Sequence, residues 1–315
     1  FKQKTAYEIG VRLVGSEMCI RDSPYSNNLD ASIATARRYA NHGYACAIQD
    51  CRGRWDSDGE FYPFREAHDG YDTQQWIGQQ DWSTGKIGMS GASYLGSVQW
   101  ASAPHRSPHL SCMAPRVICC DFHSGLVFPG GAFQLNVMMT WGMRSNARTG
   151  QNIDYHNWTE AFRSLPVIAM DEAAGRRLDF WKDWIQHPSY DEYWAEFDDE
   201  KRFGEIAVPA LNMGGWYDLY AAQTFTNFNG LRLQGGSSEA KQSKLIVGPW
   251  PHALSVSTRT GPMGASIASG GWASRLVGSN RAKASVNADV RVMFTGCPSL
   301  VIDVRSSEPC AKSGT

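Results

Sequence analysis

Excess charge of either sign is lacking in this sequence: 30 Lys and Arg stand against 31 Asp and Glu, and the formal net charge is −1. With no basic stripe either, nothing favours a nucleic-acid partner, whose phosphates demand a concentrated cationic face. No apolar run reaches the ~20 residues that a membrane-spanning helix needs. The 8 cysteines contain no C-x-x-C pair and no Cys/His ligand spacing, so neither a metal centre nor a disulfide framework is indicated. Cys119-Cys120 reads as packing at a strand end. What the chain does have is length: 315 residues, 42% of them hydrophobic, are enough for one full domain with an insertion.

The richest local signal is Gly91-Ala92-Ser93-Tyr94-Leu95-Gly96, entered by the apolar strand Lys86-Ile87-Gly88-Met89 and left by a helical run over residues 95–103. A serine on so tight a strand-to-helix turn needs small neighbours, and the helix N-terminus then lies beneath its oxygen. The second glycine stands three residues after Ser93, one more than the usual nucleophile-elbow spacing. Downstream, Gly214-Gly215-Trp216-Tyr217-Asp218 follows the apolar run 208–213, and Gly248-Pro249-Trp250-Pro251-His252 follows Leu245-Ile246-Val247. Each residue has a plainer reading: Ser93 an ordinary Gly-Ser turn, Asp218 a helix cap ahead of residues 219–228, His252 a loop histidine. Together they stand just past predicted strand ends, where open parallel sheets put their ligands, in the order Ser, Asp, His of the α/β-hydrolase arrangement.

Longer phrases carry a family resemblance. From Pro24 to His252 the chain has His42-Gly43-Tyr44, Ile48-Gln49-Asp50-Cys51-Arg52-Gly53, Ser57-Asp58-Gly59-Glu60-Phe61, and Asp69-Gly70-Tyr71-Asp72 with Trp76-Ile77. Gly85-Lys86-Ile87-Gly88, the elbow, His187-Pro188-Ser189-Tyr190-Asp191 with Tyr193-Trp194, and the Asp218 and His252 phrases follow in order. This segment resembles the CocE/NonD hydrolases, the cocaine-esterase-like and X-Pro dipeptidyl-peptidase-like serine enzymes. The resemblance implies an oxyanion hole made by the hydroxyl of Tyr25 and the backbone N–H of Tyr94; without it, Tyr25 reads as a solvent-facing loop residue.

Both ends of the chain stand apart. Residues 2–9 and 13–22 read like translated sequencing-library adapter, the first like a flow-cell primer and the second like a transposase end. Residues 1–23 are therefore set outside the fold, and the natural chain is expected to resume near Pro24. On that reading any leader lies upstream and is lost, which leaves localisation open, and the antiparallel edge of the sheet is missing or replaced. From about residue 255 the chain turns Ser/Gly/Ala/Arg-rich without a sustained period of 2.0 or 3.6. A frame-shifted tail explains this; the alternative is a natural flexible tail in which residues 290–294 form a strand.

The expected fold is α/β, an α/β-hydrolase doubly wound, mostly parallel sheet with an inserted helical cap. Residues 24–122 form the first part of the body, 123–205 the cap, 206–254 the second part of the body and 255–315 the uncertain tail. In the body, helical runs at 31–41 and 67–79 alternate with strands at 44–49, 86–89 and 110–114. The cap is rich in Trp, Phe and Met, most of it packing against the body, with a minority from residues 127–141 lining an acyl pocket. The chemistry expected is hydrolysis of a carboxylic ester or amide through an acyl-serine, with Ser93 the nucleophile, His252 the base and Asp218 its orienting acid. It needs no metal and no organic cofactor, and its partner is a small ester, amide or short peptide. An X-Pro dipeptidyl-peptidase type of aminopeptidase is the alternative, and a non-catalytic or misfolded fragment the third.

Overall fold

Short runs of apolar residues, each stopped by Gly or a turn, form the strands. The structure is a computed structural model and describes residues 16–26, 30–252, 288–293 and 301–306. Six strands, β1 (Ser16–Ser23), β2 (Ala45–Asp50), β3 (Ser83–Ala92), β4 (Leu110–Arg116), β5 (Leu211–Gly215) and β6 (Lys244–Gly248), make one sheet in the order β2-β1-β3-β4-β5-β6. Every pairing in it is parallel. Parallel neighbours need crossovers, and helices supply them. They are α1 (Asp30–Ala40), α2 (Ala67–Gly78), α3 (Tyr94–Ser102) and, between β5 and β6, α9 (Ala221–Gln234).

The helices read as their sequences predict. Asp30 in the first turn of α1 and Arg37 and Arg38 in its last complement the helix dipole. In α2 the buried residues are Gly70, Thr73, Gln74 and Ile77, one stripe at i, i+3, i+4 and i+7. Helix α3 is buried on every side from Tyr94 to Trp100 and runs through the centre of the core, beside Ile87, Met89 and Met113. Strand β5 begins later than the apolar run at residue 208 suggests, because Pro209 has no N–H for a ladder; only its carbonyl is used, accepting from Met113 N at 3.1 Å.

The interior strand β1 differs from the sequence reading, which set residues 1–23 outside the fold. Met18 to Ser23 pair in register with Ala45 to Asp50, and Cys19 and Ile20 are buried. An interior slot selects for backbone pairing and side-chain volume, so the fit is independent of how the segment came to be encoded. The other adapter-like residues, 1–15, lie outside the described residues.

Between β4 and β5 the chain forms α4 (Leu135–Ser145), α5 (Trp158–Ala161), α6 (Met170–Ala173), α7 (Asp179–Gln186) and α8 (Glu192–Ala195), joined by short 3-10 and π turns. This helical insertion has an aromatic core: Phe180, Trp181, Trp184 and Trp194 are all buried, and the Phe180 and Trp184 rings lie 4.5 Å apart. Trp181 and Trp194 satisfy their indole N–H groups on the carbonyls of Val167 and His187 at 3.0 and 2.7 Å. Cys119 and Cys120, just past β4, are fully buried.

The chain divides into two compact units, Phe1–Leu254 and Ser255–Thr315. The second holds an antiparallel pair, β7 (Ala288–Met293) and β8 (Val301–Ser306). Strand β7 overlaps the 290–294 segment singled out above; apart from β7 and β8, the proposed frame-shifted tail lies outside the described residues. No helix among the described residues is long and apolar enough to cross a membrane.

Candidate active site

Ser93 stands between β3 and α3 in a backbone conformation that side chains rarely adopt, φ 57° and ψ −127°. Such a position costs a non-glycine residue roughly 1–3 kcal/mol and persists only where its surroundings hold it. Here Ser93 N donates to Arg116 O at 2.9 Å, and the Ser93 carbonyl accepts from Gly96 N and Ser97 N at 2.7 and 3.1 Å. The flanking glycines are steric necessities: a Cβ on Gly91 would stand 2.2 Å from Leu95 Cβ, and one on Gly96 2.7 Å from Ile118 Cγ2. The second constraint explains why the glycine three residues after Ser93 serves this turn. An ordinary Gly-Ser turn needs neither.

The loops after β5 and β6 are laced together, Trp216 N donating to Gly248 O at 2.9 Å and Tyr217 N to Trp250 O at 3.2 Å. That lacing brings Asp218 and His252 side by side. His252 Nδ1 lies 2.7 Å from Asp218 Oδ2, and His252 Nε2 lies 3.0 Å from Ser93 Oγ. The Asp218 side chain is 0% exposed and that of His252 40%, so the acid is sealed while the imidazole edge stays open to a substrate. Asp218 is not the cap of α9, whose N-cap is Tyr220; its Oδ1 accepts from Tyr220 N at 2.7 Å in the turn before that helix, while Oδ2 is left for His252. Ser93, Asp218 and His252 thus meet at the C-terminal ends of β3, β5 and β6, 159 residues separating the serine from the histidine.

Tyr94 directly follows Ser93, and the Tyr25 ring lies edge-on to the Tyr94 ring at 6.5 Å. The turn carrying Tyr25 is fixed through Pro24 O, which accepts from the buried Arg54 Nε at 2.9 Å and from Trp55 Nε1 at 3.1 Å. Tyr25 is half-buried, and its hydroxyl accepts from Trp141 Nε1 of α4 at 3.2 Å. Burial raises the phenol pKa, while hydrogen bonding with Trp141 and Ser93 pulls the other way. Tyr94 is the first residue of α3, so its N–H has no acceptor within the helix and is available at the turn. Its side chain points into the core: the hydroxyl donates to Glu66 Oε1 and accepts from Phe64 N at 2.8 Å. Burial pushes the Glu66 carboxyl up to about 8, so this acid carries its proton at neutral pH.

Three residues here escaped the sequence reading. Glu66 had no signal beyond preceding a helical run. Phe64, at φ 70°, stacks at 5.2 Å on Tyr94 and at 3.9 Å on Phe122. Trp141 was within the stretch assigned to an acyl pocket, but its indole N–H, directed at Tyr25, had no sequence signature. Among the described residues no group of three or more His, Cys, Asp and Glu is arranged to hold a metal ion.

Residues 18–254 match the family described as X-Pro dipeptidyl-peptidase (S15 family). The chain belongs to that family. It is 32% identical over 232 residues to cocaine esterase from Rhodococcus sp. (strain MB1 Bresler), an alignment covering 68% of this chain and 39% of that protein. The chain therefore spans about two fifths of the length of that curated relative. In structure it is similar to an aminopeptidase from the marine sediment archaeon Thaumarchaeota archaeon, with a TM-score of 0.64 and 22% identity over 78% of this chain and 45% of that one. A CocE/NonD family hydrolase from Staphylococcus aureus superposes with a TM-score of 0.52 and 21% identity, covering 74% and 41% of the two chains. The CocE/NonD resemblance read from the sequence phrases is borne out, and so is the α/β-hydrolase class of fold.

Proposed function

We propose that this chain is the hydrolase portion of a serine enzyme that cleaves carboxylic ester or amide bonds through an acyl-Ser93 intermediate. The observation that carries this reading is the unbroken contact from Asp218 through His252 to Ser93 on a strained strand-to-helix turn. A serine hydroxyl is a weak nucleophile at neutral pH. His252 takes its proton as the carbonyl is attacked and returns it to the leaving alcohol or amine, while Asp218 fixes the imidazole tautomer and stabilises the imidazolium. The tetrahedral oxyanion is met by the Tyr94 N–H and the Tyr25 hydroxyl, donors each worth roughly 3 kcal/mol in such sites. Water then hydrolyses the acyl-serine with the same base.

Ester or amide hydrolysis ranks ahead of dipeptide release, since a peptidase of the X-Pro type needs in addition a carboxylate placed for the substrate's α-amino group. Turnover of a short-chain p-nitrophenyl ester beside an Xaa-Pro-p-nitroanilide checks both levels. The proposal expects ester turnover that Ser93→Ala abolishes; faster release from the Xaa-Pro substrate would favour the peptidase, and ester turnover surviving in Ser93→Ala would remove Ser93 from the mechanism.

A further inference from the structure

A hydroxyl that must donate at the moment of reaction has to have its hydrogen on the correct side beforehand. Tyr25 Oη can both donate and accept, and nothing in the phenol ring decides which way its hydrogen turns. Trp141 can decide it, because an indole N–H donates and never accepts. Its Nε1 lies 3.2 Å from Tyr25 Oη, across 116 residues of sequence. The indole plane is itself held: it stacks on Tyr94 at 5.9 Å and 13° and on Phe64 at 6.0 Å and 10°, with Phe180 tilted against it at 6.1 Å. Tyr94 and Phe64 belong to the body and Phe180 to the cap insertion, so the N–H direction is set from both.

We infer that Trp141 is a positioning residue that orients the Tyr25 hydroxyl, its N–H occupying a lone pair of the phenol oxygen so that the phenol hydrogen is left facing Ser93. The inference rests on the reading of Tyr25 as an oxyanion donor. With the Trp141 N–H occupying one lone pair of the phenol oxygen before substrate arrives, the orientation of the Tyr25 hydroxyl does not have to be found by rotation once substrate is bound. Because Trp141 is on α4, the cap contributes to the oxyanion hole through this one N–H.

The test replaces only that N–H. Substituting 3-benzothienylalanine for Trp141 in the full chain keeps the ring shape and stacking but puts sulfur where the nitrogen was. On a p-nitrophenyl ester the expected result is a fall in kcat of about tenfold, the scale of one neutral hydrogen bond, with KM changed by less than about twofold. In a Tyr25→Phe background, where there is no hydroxyl to orient, the same replacement should cost nothing further. Wild-type kcat in the isostere, or an equal loss in both backgrounds, overturns the inference. Full kcat in Tyr25→Phe alone would instead remove Tyr25 from the oxyanion hole and take the orienting role down with it, so the two failures are read from different variants.

Discussion

One half of the site is two loops from neighbouring strands, tied by backbone hydrogen bonds and carrying a sealed carboxylate and a half-open imidazole. The other half is a stack of rings, Tyr94, Phe64, Phe122 and Trp141, gathered from the body and the cap and edged by Tyr25. The first half is built by sheet topology: whatever follows β5 and β6 must come to the same edge as the elbow. The second is built by packing, and its polar atoms are directed by the ring planes that surround them. A function that needs both is robust where the backbone sets the geometry and sensitive where side chains alone do.

That contrast breaks most visibly on the polar side. Ser93→Ala and His252→Ala are each expected to lower kcat by on the order of 10⁴-fold or more on a p-nitrophenyl ester, and the double variant should lose no more than either alone, since the residues act as one unit. Losses that multiply would show that they act separately. On the ring side the largest expected effect is smaller. Tyr25→Phe keeps the ring and removes the hydroxyl, so kcat should fall by roughly a hundredfold with KM little changed. A variant retaining most of its kcat would leave the oxyanion to backbone donors.

Glu66 sharpens the comparison through stability. Its carboxyl titrates at about 8 in the folded chain against 4.5 as the ordinary value, because burial disfavours the charge. The folded state therefore keeps a proton that the unfolded state gives up, and stability falls as pH rises from about 4.5 through about 8. Asp22, Asp199 and Glu200 are likewise raised by burial, each to about 7, and contribute the same sign below that pH. The window between pH 7 and 8 is where Glu66 is distinguished. Glu66→Gln should reduce the decline of the thermal midpoint across the whole span from about pH 4.5 to about 8, with the largest fractional loss of slope at its upper end; an unchanged slope would place the titrating group elsewhere. The smallest effect belongs to the cap's surface. Lys182 and Glu172 pair at 2.8 Å with much of both side chains in solvent. Lys182→Ala is expected to shift the denaturant midpoint only marginally, with kcat unaltered. A larger shift would mean that the cap leans on its surface charges more than on its aromatic core.

The same division explains what the sequence made legible. Strands β2 to β6, the helices between them and the meeting of Ser93, Asp218 and His252 follow from short apolar runs, glycines at the turns and chain order, all local signals read one segment at a time. The Trp141 contact with Tyr25 spans 116 residues and leaves no periodicity, and the Glu66 contact with Tyr94 depends on how α2 and α3 lie against each other. Strand β1 was missed for another reason: coding resemblance set residues 1–23 aside, whereas the sheet takes up any segment of suitable length and burial. Tyr25 was reached through family likeness alone, since a lone tyrosine after a Pro carries no sign of what its hydroxyl will face.

The central claim is that Ser93 becomes acylated because His252 and Asp218 activate it. Incubating the full chain with a fluorophosphonate and locating the adduct by peptide mass spectrometry tests this most directly. The account predicts one adduct per chain, on Ser93, abolished in Ser93→Ala and strongly slowed in His252→Ala. Stoichiometric labelling at another residue, or labelling of Ser93 at an unchanged rate without His252, would contradict it.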